Sequence, residues 1–217
     1  MQYTLYGYWR SSATYRVRIA LQLKNCAFDY VPVHLVRDGG GQHQAAYAQL
    51  NPAQLVPTLI DHQNGLRLNQ SLAIIEYLNE RHQACPLLPT NSADKARVRA
   101  LALDIACDIQ PLANLRVLQY LRQPFGLLEH QQQQWSRHWI GEGLGALEQR
   151  LQQCAGDYCY ANQLSLADLC LVPQVYNALR FNVELEQFPV IQRIYARCNS
   201  LAAFDAARPE NQADAEV

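Results

Sequence analysis

The feature that most limits what this chain can fold into is a change of period near residue 88. Before it, short alternating segments interleave with amphipathic ones. After it, apolar residues recur at helical spacing almost to the end. Residues 2–7, rich in Tyr, Thr and Leu, read as a strand, and Tyr15 to Lys24 reads as a helix carrying Val17, Ala20, Leu21 and Leu23. Phe28 to Val33 is a second strand, and Gln44 to Leu50 is a short helix stopped near Asn51-Pro52. Val56 to Ile60 is a strand led by Pro57, Asp61 to Gly65 is a hairpin turn, and Leu66 to Leu68 returns. Ser71 caps a helix over 71–82, whose apolar face carries Ile74, Ile75 and Leu78. This order predicts an α/β layer, a small sheet with helices on both faces.

Beyond a linker-like stretch from Pro86 to Ser92, helices are predicted over 93–121, 125–153, 166–180 and 189–197, built from Leu, Ala, Gln and Arg. Ser165-Leu166-Ala167-Asp168 has the spacing of a capping box that starts a buried helix. The expected organisation is an α/β domain over 1–84, a linker over 85–92, an all-α domain over 93–210 and a frayed tail over 211–217.

Composition removes several classes of function. With 18 basic and 19 acidic residues the formal net charge is -1, which lacks the positive clustering that a nucleic-acid backbone demands. No apolar run reaches 18 residues, so no membrane span is expected. The N-terminus has no basic stretch followed by an apolar one, so no secretion signal is expected. Cys26, Cys85, Cys107, Cys154, Cys159, Cys170 and Cys198 are odd in number and contain no C-x-x-C pair. They suit free thiols in a reducing compartment, hence a cytoplasmic protein. The six histidines lack metal-ligand spacing, and no metal is expected. Asp38-Gly39-Gly40-Gly41 lacks the lysine of a phosphate loop and reads as a turn.

Motifs with a chemical reading begin after the first strand. Ser11-Ser12-Ala13-Thr14-Tyr15-Arg16-Val17-Arg18-Ile19-Ala20-Leu21 is followed by Leu50-Asn51-Pro52, Val56-Pro57-Thr58-Leu59 and Gln70-Ser71-Leu72-Ala73-Ile74-Ile75-Glu76-Tyr77-Leu78. Ile109-Gln110-Pro111-Leu112 and Ala167-Asp168-Leu169-Cys170-Leu171-Val172-Pro173-Gln174-Val175 come later. In this order the motifs resemble the zeta class of glutathione transferases, which contains the maleylacetoacetate and maleylpyruvate isomerases. The resemblance covers nearly the whole chain. It implies a thioredoxin-like N-terminal domain followed by an all-helical C-terminal domain, and a homodimer. It also implies a glutathione-dependent cis–trans isomerase acting on a dicarboxylic keto acid, as in tyrosine and phenylalanine degradation.

The resemblance also assigns residues. Ser11, with Ser12 second, would stabilise the glutathione thiolate at a helix start, where free amides and positive potential favour an anion. As plain residues, either serine could simply cap that helix. Pro57 matches the family's cis-proline, exposing the Val56 backbone to the cysteinyl part of glutathione. Gln70 and Ser71 match the holders of the glutamyl carboxylate, Gln54 would reach the glycine end, and Gln110 is grouped with the glutathione site. Arg10, Arg116 and Arg180 are the candidates for the substrate's two carboxylates, which a guanidinium fork binds bidentately; Arg10 is also counted with the catalytic serines. Arg16 and Arg18 are expected to support structure or the dimer contact.

Two features complicate the transfer. Ala13 stands where the family pattern has cysteine, so no protein thiol is present there. Gln110 matches the maleylacetoacetate branch and Arg116 the maleylpyruvate branch, which leaves the substrate open between the two. The competing expectations are a broader transferase or dehalogenase on small electrophilic acids and a non-catalytic glutathione-fold binding protein.

Overall fold

In the computed structural model, which describes residues 1–216, the chain divides into two units. One is Met1–Pro86 together with the residues from Leu201 onward, and the other is Leu87–Ser200. The first unit holds β1 (Tyr3–Gly7), α1 (Ser12–Leu23), β2 (Phe28–Pro32), α2 (Ala45–Leu50), β3 (Thr58–Asp61), β4 (Leu66–Asn69) and α3 (Ser71–Arg81). The strands form one sheet in the order β2-β1-β3-β4, with β1 parallel to β2 and antiparallel to β3, and β3 antiparallel to β4.

The period-2 alternation of β1 decides which helix covers which face. Gly7 lies against α1 so closely that a Cβ there would sit 2.3 Å from Thr14 Cγ2, so a side chain would force strand and helix apart. Tyr6 points the other way and pairs with Tyr47 of α2, ring centroids 6.2 Å apart. The sheet is therefore covered on both faces. α1 packs on α3 and buries Val17, Ile19 and Leu21 completely; each such side chain contributes about 1.5–3 kcal/mol. α1 begins on the Ser11 side chain, which accepts from Thr14 N. It ends with Asn25 at φ 52°, where Cys26 N donates to Leu21 O and Asn25 N to Gln22 O. This is a Schellman closure with asparagine in place of glycine.

The second unit contains α4 (Ser92–Leu103), α5 (Leu115–Arg122), α6 (Glu129–Cys154), α7 (Leu166–Arg180) and α8 (Pro189–Asn199). α7 is buried on nearly all sides from Leu166 to Ala178 and packs against α4 and α8. Asp168 starts it as the spacing predicts: the buried carboxylate accepts from Ser165 N, Ser165 Oγ and Cys159 N, each at 2.8 Å. The single helix expected over 93–121 is interrupted. A π-helical stretch Asp104–Ile109 and a 3₁₀ turn Gln110–Ala113 separate α4 from α5. Pro111 has no N–H, and its ring blocks the carbonyl four residues back. Asn114 then restarts the helix by accepting from Arg116 N at 3.1 Å.

The chain end differs most from expectation. The helical unit stops at Ser200 rather than at 210, and α9 (Ala202–Ala206) packs on α1. The 211–217 tail was expected to fray, yet its described residues dock on the first unit. Val217 lies outside the described residues. Just before that tail the chain is anchored by Arg18, fully buried on α1, whose guanidinium must find acceptors inside the protein. Its Nε donates to Ala207 O at 3.0 Å and its Nη2 to Trp9 O at 2.9 Å. None of the seven cysteines is held in a disulfide, and Cys159, Cys170 and Cys198 are buried. Among the described residues no helix is long and apolar enough to cross a membrane.

Candidate active site

The strand register brings three segments together. Tyr6 pairs with Thr58 across β1 and β3, and Thr58 pairs with Asn69 across β3 and β4. The end of β1, the start of β3 and the end of β4 therefore lie side by side at one edge of the sheet. Beyond that edge lie Tyr8 to Ser12, Gln54 to Pro57, and Gln70 with Ser71. Seven of the residues assigned to glutathione or catalysis in the first unit, and Arg10 with them, thus share one rim.

Each segment is held in its own way. In the first loop, Ser11 N donates to Tyr8 O at 3.0 Å, and buried Arg18 grips the carbonyls of Tyr8 and Trp9. Ser11 does cap α1, accepting from Thr14 N at 3.2 Å. That bond uses a lone pair of its oxygen, and the hydroxyl proton is still available to a sulfur anion. Ser12 is the first residue of α1, and Ala13 follows half-buried, with no thiol to offer. Arg10 lies over the Trp9 ring at 4.9 Å and the Tyr8 ring at 5.9 Å, and its Nη2 donates to Tyr8 Oη at 3.2 Å. The two rings aim the guanidinium and leave most of its donors for a ligand.

The second segment is shaped by Asn51, whose Nδ2 donates to Leu55 O at 2.7 Å, and by Tyr47 Oη, which donates to the same carbonyl at 2.7 Å. The Val56–Pro57 bond is cis. Val56 makes no backbone hydrogen bond among the described residues, so its amide and carbonyl are open to an extended peptide. Gln54 sits at φ 54° with Oε1 2.5 Å from His43 Nδ1, a neighbour that no local motif announces. In the third segment Ser71 is the first helical residue of α3 and not its cap. The cap is Gln70, at φ 68° and ψ 109°, and it forms no side-chain capping bond.

The chain end reinforces the first loop. Asp214 accepts from Trp9 N at 3.1 Å and from Tyr30 Oη at 3.2 Å, and burial beside this carboxylate pushes the Tyr30 phenol up. Glu216 accepts from His34 at 2.8 Å and pairs with Arg37 at 2.5 Å. The His34 hydrogen bond, then the Arg37 charge, hold the Glu216 carboxyl below its ordinary range. The sign follows: this contact supports docking of the chain end at pH above the ordinary carboxylate range and is lost as pH falls through the depressed value. Sequence reading missed His34, Asp214 and Glu216, because nothing local marks a contact made across the length of the chain. Asp214→Ala is expected to cost about 1–3 kcal/mol and to speed hydrogen exchange at the Trp9 amide. Unchanged exchange there would show that Asp214 does not hold the loop.

Three assigned residues belong to the second unit. Gln110 opens the 3₁₀ turn and is half-buried. Arg116 is exposed on α5. Arg180, exposed at the end of α7, donates from Nη1 to Asn177 Oδ1 at 3.1 Å and lies 5.7 Å from the Phe181 ring.

Residues 1–80 match the family model described as glutathione S-transferase, N-terminal domain. A Vibrio cholerae protein described as a probable maleylacetoacetate isomerase is 54% identical over 215 residues, 99% of either chain. The structure of a bacterial zeta-class maleylpyruvate isomerase in its holo form superposes with a TM-score of 0.93 at 41% identity, covering 98% of this chain and 100% of that one. The maleylacetoacetate isomerase of Anaeromyxobacter dehalogenans 2CP-1, with dicarboxyethyl glutathione and citrate bound in its active site, superposes with a TM-score of 0.87. It is 39% identical, with coverage of 100% of this chain and 98% of that one.

Proposed function

The chain belongs to the zeta class of the glutathione transferases, and on that footing we propose that it converts the cis double bond of a maleyl keto acid to trans, with glutathione as regenerated cosubstrate. The observation that carries the reading is the shared rim. A hydroxyl at the start of α1, an open peptide edge at Val56 before a cis-proline, and the start of α3 stand along one side of the sheet. A thiol tripeptide with a carboxylate at each end, one of them seated at the start of α3, needs that set of groups.

In the proposed course, Ser11 donates its hydroxyl proton in a hydrogen bond to the glutathione sulfur, and the adjoining helix start favours the thiolate; Ser12 is the second donor. The thiolate adds to a carbon of the cis double bond. The π electrons move toward the conjugated ketone, leaving an enolate and a single bond where the double bond was. Rotation about that bond follows. The enolate electrons return, the carbon–sulfur bond breaks, and the trans acid leaves with glutathione restored. Arg10 holds a substrate carboxylate and offsets charge on the enolate, and Arg116 and Arg180 are the further carboxylate holders. Gln54, Val56, Pro57, Gln70, Ser71 and Gln110 hold glutathione. The bound dicarboxyethyl glutathione of the Anaeromyxobacter relative supports this scheme, since that compound is glutathione joined through sulfur to a dicarboxylic unit. With Ala13 in place of a cysteine, sulfur chemistry at that position rests on glutathione alone.

The reading extends to a homodimer in the cytoplasm, a setting that suits seven cysteines with no disulfide among them. Initial rates on maleylacetoacetate and on maleylpyruvate, with and without glutathione, test it. We expect turnover of at least one acid, strictly dependent on glutathione. Turnover of chloro-acids alone would point instead to a dehalogenating transferase.

A further inference from the structure

Arg16 is an expensive residue to have where it is. It lies on α1 with 2% of its surface exposed. Its Nη1 donates to Ser71 Oγ at 3.3 Å, while Nε and Nη2 have no partner. No carboxylate pairs with it among the described residues. A guanidinium taken out of water normally brings an acid with it, and neighbouring Arg18 shows the alternative, with its donors spent on backbone carbonyls. Arg16 has neither solution, and the atom it does reach belongs to the first residue of α3.

That helix start is itself incomplete. Gln70 supplies no side-chain cap, and its positive φ is an uncommon conformation for a residue with a side chain. The first amides of α3 therefore point out of the helix without a capping side chain, at the end where a helix favours an anion. Two independent features, an uncapped helix start and a buried cation with unspent donors, meet at Ser71.

We propose that Arg16 is a positioning residue for the glutathione carboxylate: it makes Ser71 a hydrogen-bond donor and supplies the counter-charge for the γ-glutamyl α-carboxylate. This rests on the reading that Gln70 and Ser71 receive that carboxylate. A hydroxyl has one proton and two lone pairs. With an Arg16 N–H directed at its oxygen, Ser71 turns its own proton away from the guanidinium, toward the ligand. The chain Arg16–Ser71–carboxylate runs donor to acceptor throughout, each bond strengthened by the charges at its ends. The carboxylate then provides the negative charge that the fold omits beside Arg16.

The test compares two ligands in one protein: glutathione, and 4-aminobutyryl-cysteinylglycine, which lacks only the α-carboxylate. Titration calorimetry on wild type and Arg16→Met reads both affinities. Arg16→Met is expected to weaken glutathione about 10- to 100-fold and the analogue less than about twofold, so that preference for the carboxylate collapses. The KM for glutathione should rise while kcat at saturating glutathione is kept. Equal weakening of both ligands would mean that Arg16 is merely structural and would overturn the proposal. If Arg16→Met does not fold, Arg16→Gln, which keeps a donor for Ser71 but no charge, is read by the same ratio. Failure of the wild type to bind glutathione at all would instead remove the underlying glutathione reading.

Discussion

Ser11→Ala is expected to fold, to bind glutathione and to isomerise its maleyl keto acid about 10²–10³-fold more slowly. The hydroxyl has two tasks, and the substitution removes both. As a cap it accepts from Thr14 N, and its loss costs about 1 kcal/mol, which for a chain of this size lowers Tm by roughly 2–4 °C. As a donor to sulfur it stabilises charge on the attacking atom. Without it the bound thiol titrates nearer to its value in water, so the acid limb of the rate profile should move to higher pH. The two losses separate experimentally: Tm reports the cap, and ultraviolet absorbance of bound thiolate against pH reports the donor. Ser12→Ala should cost less, and Arg10→Gln should raise the KM for the acid more than the KM for glutathione. A Ser11→Ala enzyme within threefold of wild type, with the thiolate still formed near neutral pH, would eliminate Ser11 as the thiolate donor.

The second large effect is on stability. Asp168→Ala is expected to destabilise the helical unit by about 3–5 kcal/mol, a large share of the 5–15 kcal/mol typical of a folded domain. Asp168 is fully buried at the start of α7 and accepts three hydrogen bonds. Burial raises its carboxyl above the ordinary range, and the amides of Cys159 and Ser165 oppose that rise. Removing the carboxylate leaves two backbone N–H groups and a hydroxyl without acceptors inside an apolar core. Asp168→Asn should also fail, because its amide nitrogen faces groups that are themselves donors. Ser165→Ala, which removes only one of the three donors, should cost about 1 kcal/mol. Urea unfolding followed by circular dichroism measures all three. A cost below about 1 kcal/mol for Asp168→Ala would show that the box does not hold α7 in place.

How much of this was legible beforehand depends on how far each feature reaches along the chain. β1, α1, α3 and α7 come from periods and caps spanning a few residues, and they stand close to where the sequence puts them, except that α1 begins at Ser12, three residues before the expected Tyr15. The interruption at 104–114 was signalled by Pro111 and Asn114, but the helical period on either side masked it. Ser71 shows a finer limit: a serine before an apolar run suggests a cap, yet the break to non-helical backbone falls at Gln70, and that moves Ser71 into the helix and under Arg16.

By itself, the sequence determined the two-part architecture, the family and the segments bearing chemistry, because periodicity, prolines and caps act on their immediate neighbours. The tertiary structure decided which of those segments share a rim, since strand register alone sets Thr58 beside Tyr6 and Asn69. It also decided that the chain end docks instead of fraying. Arg18 and Ala207 are 189 positions apart, and a polar C-terminal stretch carries no local sign of partners that distant. Buried guanidinium groups take whatever acceptors the fold brings within reach. Arg18 finds carbonyls of the first loop and of the chain end, whereas Arg16 reaches only a serine at the start of α3.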